Sequence, residues 1–309
     1  TVLASQQGLP SPFDFLVVEV SSFQLETVEQ FHPWIAALLN VTVDHQDRYT
    51  SIDEYVAAKR RIFESQKPTD YALFNLDDQR VAALRHSVKA RVLGFTRQSV
   101  LPADVTGGTH LEGDRLITTV TGVRQEICRR QEIKIIGDHN VENAMVAATY
   151  ALLSGCSLES VKRVLQDFPG LEHALEIVRD RRGVRFVNDS KGTNVDATLK
   201  AIESIDQPIW LIAGGRDKGG DFSRLAPAIR QRVKGLILIG EATPLIAQAM
   251  AGFPAISRAA SLKEAVQAAA DSATSGGVVL FSPACASFDM FADYQDRGRQ
   301  FKALVNELP

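Results

Sequence analysis

The chain has 309 residues, of which 45% are hydrophobic and 23% charged, and a formal net charge of −3. That composition describes a globular protein with room for two domains and argues against a broadly basic nucleic-acid-binding surface. Cys128, Cys156 and Cys285 are odd in number and widely spaced, forming neither a disulfide framework nor a CxxC metal pattern, which suits a reducing cytoplasm. No apolar run approaches the ~18 residues of a transmembrane helix, and no signal-peptide pattern is present, so no membrane role is expected.

The first element is "FLVVEV" (15–20), a β-branched run that predicts a parallel strand covered on both faces. Glu19 within it is either the exposed C-terminal end of that strand or a metal ligand at the sheet edge where α/β proteins bind ligands. "WIAALLNVT" (34–42) and "YALFNLDD" (71–78) predict two more strands. Between them "SIDEYVAAKRRIFESQ" (51–66) predicts a helix capped by Ser51, with Glu54 three residues on. Strands are expected at 90–95, 115–120 and 131–136, separated by the turn signals "TGGTH" and "EGDR". Helices follow over 139–155, closed by a glycine, and over 157–168.

Pro169-Gly170 marks the expected domain boundary, giving domains 1–169 and 170–309. Beyond it "VRFVNDS", "PIWLIAGG", "VKGLILIGE" and "GGVVLFSPA" alternate with helical segments. That pattern predicts an α/β fold with an open, mostly parallel sheet.

Several residues carry chemical interest. Lys59 falls on the face of its helix defined by Tyr55, Val56, Ile62 and Phe63, where a lysine is out of place. Its ammonium either snorkels to solvent or is paired or modified inside a site. His45, between Asp44 and Asp47, lies like Glu19 after a predicted strand, and parallel neighbours would bring both to one sheet edge. In "FVNDSKGTNVDATLKAI" (186–202), Asp189, Lys191 and Thr193 turn toward a helix N-terminus, a setting for phosphate or ribose as well as for a solvated loop. "IAGGRDKGGDF" (212–222) offers glycines and Lys218, yet it is neither GxGxxG nor GxxxxGK[ST]. "FSPACASFDMF" (281–291) places Ser287 after the last strand, and Cys285 there reads as a small buried thiol.

Eight of these stretches, "EVSSFQLE", "NVTVDHQDRY", "YVAAK", "HNVEN", "GLEH", "NDSKGTN", "GGRDKGGDF" and "SPACASFDMF", resemble the Mur ligases in order and approximate spacing. The match runs from residue 15 nearly to the end, and "SSFQLE" and "SPACASFDMF" favour the members that add D-glutamate. The resemblance implies part of a central ATPase domain with a mixed sheet, then a Rossmann-like domain that binds the amino acid. It implies addition of D-glutamate to UDP-N-acetylmuramoyl-L-alanine in peptidoglycan precursor synthesis, with ATP and Mg2+, through an acyl phosphate. Glu19, His45 and a carbamylated Lys59 would hold Mg2+, a hard ion that takes oxygen ligands. Lys59, His45 and Lys191 would be catalytic; Asn140, Asn143 and Asp189 would contact the nucleotide. Ser21 and Gln24 would face the UDP substrate, while Thr193, Lys218, Ser287, Phe288 and Tyr294 would complete the D-glutamate pocket with Lys191.

Two departures qualify that picture. Ala174 stands where the family usually carries Arg, a loss for phosphate binding. No GxxxxGK[ST] occurs, so the P-loop and a UDP-binding domain are expected upstream of residue 15. The expected whole protein is a cytoplasmic monomer acting on small molecules, and the chain alone is expected to be inactive, with exposed sheet edges that promote self-association. Another Mur enzyme, a folylpolyglutamate synthase-type ligase and a non-catalytic nucleotide- or amino-acid-binding relative are the alternatives. A dinucleotide-dependent oxidoreductase fits least, because "AGGRDKGG" lacks the glycine spacing.

Overall fold

A computed structural model describes residues 13–42 and 48–309 of the chain. The chain divides into two compact units, one running to Glu132 and including Glu142–Leu165, the other formed by Ile133–Val141 and Gln166–Pro309. Each is an α/β unit containing one six-stranded sheet.

In the first unit the elements run α1 (Ser22–Leu25), β1 (Ile35–Leu38), α2 (Ile52–Arg60), β2 (Tyr71–Asn75), α3 (Gln79–Leu84), β3 (Arg91–Thr96), β4 (Gly108–Glu112), β5 (Arg115–Thr118) and β6 (Gln125–Arg129). The strands lie in sequence order, parallel from β1 to β4 and antiparallel through β5 and β6. Ser51 caps α2 by accepting the Glu54 N–H at 3.2 Å, while the Glu54 carboxylate turns back to Thr50. The buried face of α2 sets Tyr55 in a core with Ala36, Phe63, Phe74 and Val81, where the Phe63 and Phe74 rings stand 4.9 Å apart. Helices α4 (Asp138–Leu153) and α5 (Leu158–Asp167) follow, and Thr149 of α4 meets Thr109 of β4 at 2.9 Å.

Two expected strands are not found. Residues 15–20 belong to no strand, and Phe15, Leu16, Val17 and Val18 are all more than half exposed. An apolar run becomes a strand only where a neighbour supplies hydrogen bonds, and none does so among the described residues. Instead Phe15 stacks on Trp34 at 6.0 Å. The last strand of this sheet is Gln125–Arg129 rather than 131–136, because Arg115 and Leu116 pair with Arg129 and Cys128, after which the chain turns over Arg130–Glu132.

The second unit runs β7 (Glu176–Arg181), β8 (Val184–Asn188), α6 (Val195–Glu203), β9 (Ile209–Gly214), α7 (Ala226–Arg232), β10 (Val233–Ile239), α8 (Thr243–Ala249), β11 (Ile256–Arg258), α9 (Leu262–Ser272), β12 (Val278–Phe281) and α10 (Tyr294–Glu307). The strand order is β11-β10-β9-β12-β8-β7, parallel except for β7. One apolar cluster gathers Leu211, Leu236, Leu238 and Leu280, and a second gathers Phe186, Ile212, Ile237, Val279 and Phe281. Alternate residues of each strand therefore face different cores, which is why these strands read as unbroken apolar runs.

The sheet's centre is tight. Gly214, at the end of β9 with φ 123°, leaves no room for a Cβ against the carbonyl of Ile239. Gly214→Ala is expected to destabilise this unit by roughly 1–3 kcal/mol, read as a lower denaturation midpoint at unchanged m-value.

Candidate functional site

Four loops leave the C-terminal ends of β8, β9, β10 and β12, the edge where parallel α/β sheets bind ligands. Their backbones are tied to one another. After β8, the Asp189 N–H donates to Phe281 O at 2.7 Å and Gly192 N–H donates to Asp189 O at 2.8 Å. After β9, Gly214 N–H reaches Pro283 O at 2.8 Å, and Arg216 and Ala286 exchange backbone bonds of 2.9 and 3.0 Å. After β10, Glu241 N–H donates to Asp289 Oδ2 at 3.0 Å and Ala242 N–H to Gly215 O at 2.8 Å.

Asp189 is buried at the root of this edge. Its Oδ2 lies 2.6 Å from Ser282 Oγ, and its Oδ1 accepts the Leu175 N–H at 3.2 Å. Ser282 Oγ in turn lies 2.9 Å from Thr198 Oγ1. Gly192 is required beside it, since a Cβ there would come within 2.6 Å of Asp189 Oδ2. Burial pushes the Asp189 carboxyl up to about 7, against the opposing pull of Ser282, Leu175 and the charges of Lys191 and Arg297. Lys191 is exposed and Thr193 half-buried, both on the loop that enters α6, whose Asn194 caps Ala197 N–H at 2.8 Å.

Lys218 is exposed on the β9 loop, where Asp217 Oδ1 accepts the N–H groups of Gly219 and Gly220 at 3.0 and 2.9 Å. Ser287 is buried and Phe288 is 64% exposed on the β12 loop. Tyr294 is half-buried at the start of α10, its ring edge-on to His173 at 6.3 Å. The Arg216–Ala286 bridge thus joins the loop bearing Lys218 to the loop bearing Ser287 and Phe288. Cys285 is fully buried, and burial pushes its thiol up to about 12, so it is an inert packing residue.

Sequence reasoning missed Arg297. It is fully buried, yet its hydrogen bonds all go to neutral oxygens: Nε to Ser190 Oγ at 2.9 Å, Nη2 to Ser190 O at 2.8 Å and Nη1 to Cys285 O at 3.1 Å. Burial lowers its pKa to about 10, so it stays charged at neutral pH. Ala174 lines a cavity of about 310 Å³ with Lys134, Ile136, Pro169, Leu175 and Ile177.

In the first unit, Ser21 and Gln24 form a capping box on α1, with Ser21 N–H donating to Gln24 Oε1 at 2.9 Å. Glu19 is exposed. Lys59 is half-buried, with Nζ 4.8 Å from the centre of the Tyr55 ring. His45 lies outside the described residues. Asn140 and Asn143 sit three apart on α4, Asn140 half-buried with Nδ2 donating to Ile136 O at 2.8 Å, and Asn143 exposed. Among the described residues no group of three His, Cys, Asp or Glu could hold a metal ion. No described helix is long and apolar enough to cross a membrane.

Residues 4–151 match the Mur ligase middle domain and residues 175–285 the Mur ligase glutamate ligase domain. The chain belongs to the Mur ligase family. It is 44% identical over 96% of its length to a protein of Thermoanaerobacter sp. (strain X514) named UDP-N-acetylmuramoylalanine--D-glutamate ligase, and 45% identical over 95% to one of the same name from Geobacter metallireducens. It spans 65% and 64% of those two relatives. Among solved structures, UDP-N-acetylmuramate-alanine ligase MurC of Thermotoga maritima matches with a TM-score of 0.62 at 17% identity, covering 93% of this chain and 62% of that one. MurF ligase of the same organism, in complex with ADP, matches with a TM-score of 0.64 at 15% identity, covering 93% and 66%. These two likenesses establish the shared α/β fold.

Asp189 gives a pH signature. Its pKa in the folded chain stands above the ordinary carboxylate value, so the folded state holds a proton that the unfolded state releases. Its contribution to stability is therefore complete below about pH 4 and is lost as pH rises toward about 7, by up to roughly 4 kcal/mol. Urea titrations from pH 4 to 8 are expected to show that decline in the native chain and a flatter profile in Asp189→Asn.

Proposed function

We propose that the chain carries the ATP-using and amino-acid-binding portions of a ligase that adds D-glutamate to UDP-N-acetylmuramoyl-L-alanine in cytoplasmic peptidoglycan precursor synthesis. The observation that carries this reading is the 44–45% identity, across 95–96% of the chain, to ligases of that name. Residues 1–169 form the nucleotide-binding domain in this reading and residues 170–309 the D-glutamate-binding domain.

The reaction has two steps. The substrate carboxylate attacks the γ-phosphorus of ATP, giving an acyl phosphate and ADP. The D-glutamate amine then attacks the acyl carbon, and phosphate leaves the tetrahedral intermediate as the amide forms. Both steps gather negative charge, which calls for fixed cations and donors. The exposed ammonium groups of Lys191 and Lys218 are available for the carboxylates of D-glutamate, with Thr193 and Ser287 as hydroxyl donors and Phe288 and Tyr294 as walls. Asp189, Asn140 and Asn143 face the nucleotide in this reading, and Ser21 and Gln24 the UDP substrate. Lys191 also acts on the reacting groups, as do His45 and Lys59.

Mg2+ accompanies ATP in the proposal, with Glu19, His45 and a carbamylated Lys59 as its ligands; it would neutralise phosphate charge when bound. Incubation with 13C-labelled bicarbonate is expected to give a carbamate signal that Lys59→Arg abolishes. A spectrum unchanged by that substitution would remove Lys59 from the metal site.

The activity is tested by phosphate release from Mg-ATP and UDP-N-acetylmuramoyl-L-alanine with D-glutamate, L-glutamate or meso-diaminopimelate. The chain is compared with a version extended by the P-loop-bearing segment of a Mur ligase relative. Release stimulated by D-glutamate alone in the extended version supports the ligase. No release from either, with nucleotide still bound, supports a non-catalytic binding protein, and Ala174→Arg is then expected to strengthen phosphate binding about tenfold or more.

A further inference from the structure

His173 stands at the bend between α5 and β7, 3% exposed and with φ 66°. Its Nδ1 lies 2.9 Å from Asn188 Nδ2. The orientation of that amide follows from its other neighbours: Asn188 Oδ1 accepts the Ser190 N–H at 3.1 Å, and Nδ2 faces Glu176 Oε2 at 3.1 Å and Gly298 O at 3.3 Å. Turned over, the amide would set its oxygen against a carboxylate and a carbonyl. The NH2 group has two hydrogens for three neighbours, and the contact to Nδ1 is the shortest of the three; a ring nitrogen so close to an NH2 group is placed as an acceptor, which leaves Nδ1 without a proton. Glu176 offers no alternative partner, because its Oε2 is 3.8 Å from Nδ1, beyond hydrogen-bond range, and already accepts the backbone N–H of His173 at 3.0 Å.

Glu176 is itself held. Its Oε1 accepts from Lys302 Nζ at 2.5 Å, and the same ammonium reaches Glu172 Oε1 at 3.1 Å. Burial works against the charge of Lys302, but the bonds to Glu176 and Glu172 outweigh it and hold the ammonium above the usual lysine range. Gly298 completes the seat, since a Cβ there would overlap the His173 ring.

We infer that Asn188, oriented by Ser190 and by the Glu176–Lys302 pair, holds His173 as the neutral tautomer with its proton on Nε2, so that the site presents an N–H donor there and not a titrating cation. Asn188, Glu176 and Lys302 are then positioning residues. The charged groups facing the ring are Glu172 and Glu176 on its own segment and Lys302 and Arg299 on α10; burial is the largest influence and draws the imidazole pKa down. The ligand of such a donor is an anionic or sugar oxygen, a phosphate or ribose of the nucleotide, and that assignment rests on the ligase reading. A donor that does not titrate near neutrality keeps its hydrogen bond constant there.

Long-range 15N–1H NMR on the full chain labelled at its six histidines, with the His173 signals assigned by their loss in His173→Gln, reads the tautomer without any assay of activity. At pH 7 a pyridine-type Nδ1 and a pyrrole-type Nε2 are expected. Asn188→Asp, equal in shape, puts an acceptor at Nδ1; it is expected to move the proton there and raise the imidazole midpoint by about one unit or more. Lys302→Met, which leaves Glu176 without its counter-charge, is expected to raise the midpoint while keeping the tautomer. A protonated Nδ1 in the native chain at pH 7, or an Asn188→Asp spectrum identical to the native one, overturns the inference. Should Asn188→Asp fail to fold, the native spectrum and the Lys302→Met midpoint decide it. Nucleotide binding measured on the same samples separates failure of this inference from failure of the ligase reading.

Discussion

The buried guanidinium of Arg297 holds the second unit's ligand edge together. Desolvating it is expensive, and no carboxylate among the described residues hydrogen-bonds to it in compensation. It is offset by charge-assisted bonds to the Ser190 and Cys285 carbonyls and to Ser190 Oγ, each of the strong kind. Ser190 Oγ closes the circuit by donating to the Tyr294 carbonyl at 2.8 Å. One side chain on α10 thereby fixes the loops after β8 and β12 and the start of its own helix. The left-handed turn at Ala284, φ 60°, lies inside this circuit. Backbone strain of that sort persists only where the surroundings over-determine it.

The same burial presses on charge of both signs. Asp189 is driven toward its neutral form and Arg297 is driven part of the way, while His173, a few residues from Asp189 through the Lys191 N–H to His173 O bond of 2.9 Å, is held off its cationic form. Set among these, Lys191 and Lys218 remain in solvent. The edge therefore has a buried base of hydrogen-bonded polar groups and an exposed cationic rim.

The sequence made the second sheet easy to see and part of the site hard to see, for one reason. Strands covered on both faces are apolar throughout, so β8, β9, β10 and β12 announced themselves, and the polar cluster at Asp189, Lys191 and Thr193 stood out by contrast. β7, "EIVRDR", is an edge strand with no buried residue and carried no such contrast. Arg297 sits in "YQDRGRQF", which reads as a solvated helix face; only Gly298 beside it hinted at close packing. In the first unit the run at 15–20 had the composition of a strand without a described hydrogen-bonding neighbour, and composition alone cannot report a partner. The 131–136 run was mistaken for its neighbour because β6 is half-exposed and pairs through a bulge at Leu116/Ile117.

The sheet order has a consequence for how this unit is built during synthesis. β8 and β9 do not pair with each other; β12, made some 65–90 residues later, lies between them and bonds to both. A nascent chain that has emerged only as far as β11 holds two separate pieces, a β7–β8 hairpin and a three-stranded β9–β10–β11 sheet, with the slot between them empty. Such long-range closure is slow and comes late. The Asp189 loop, which leans on Phe281 and Ser282, and Arg297 beyond them can settle only after that strand arrives. A ribosome-bound intermediate therefore has most of this unit's residues and none of its finished loop edge.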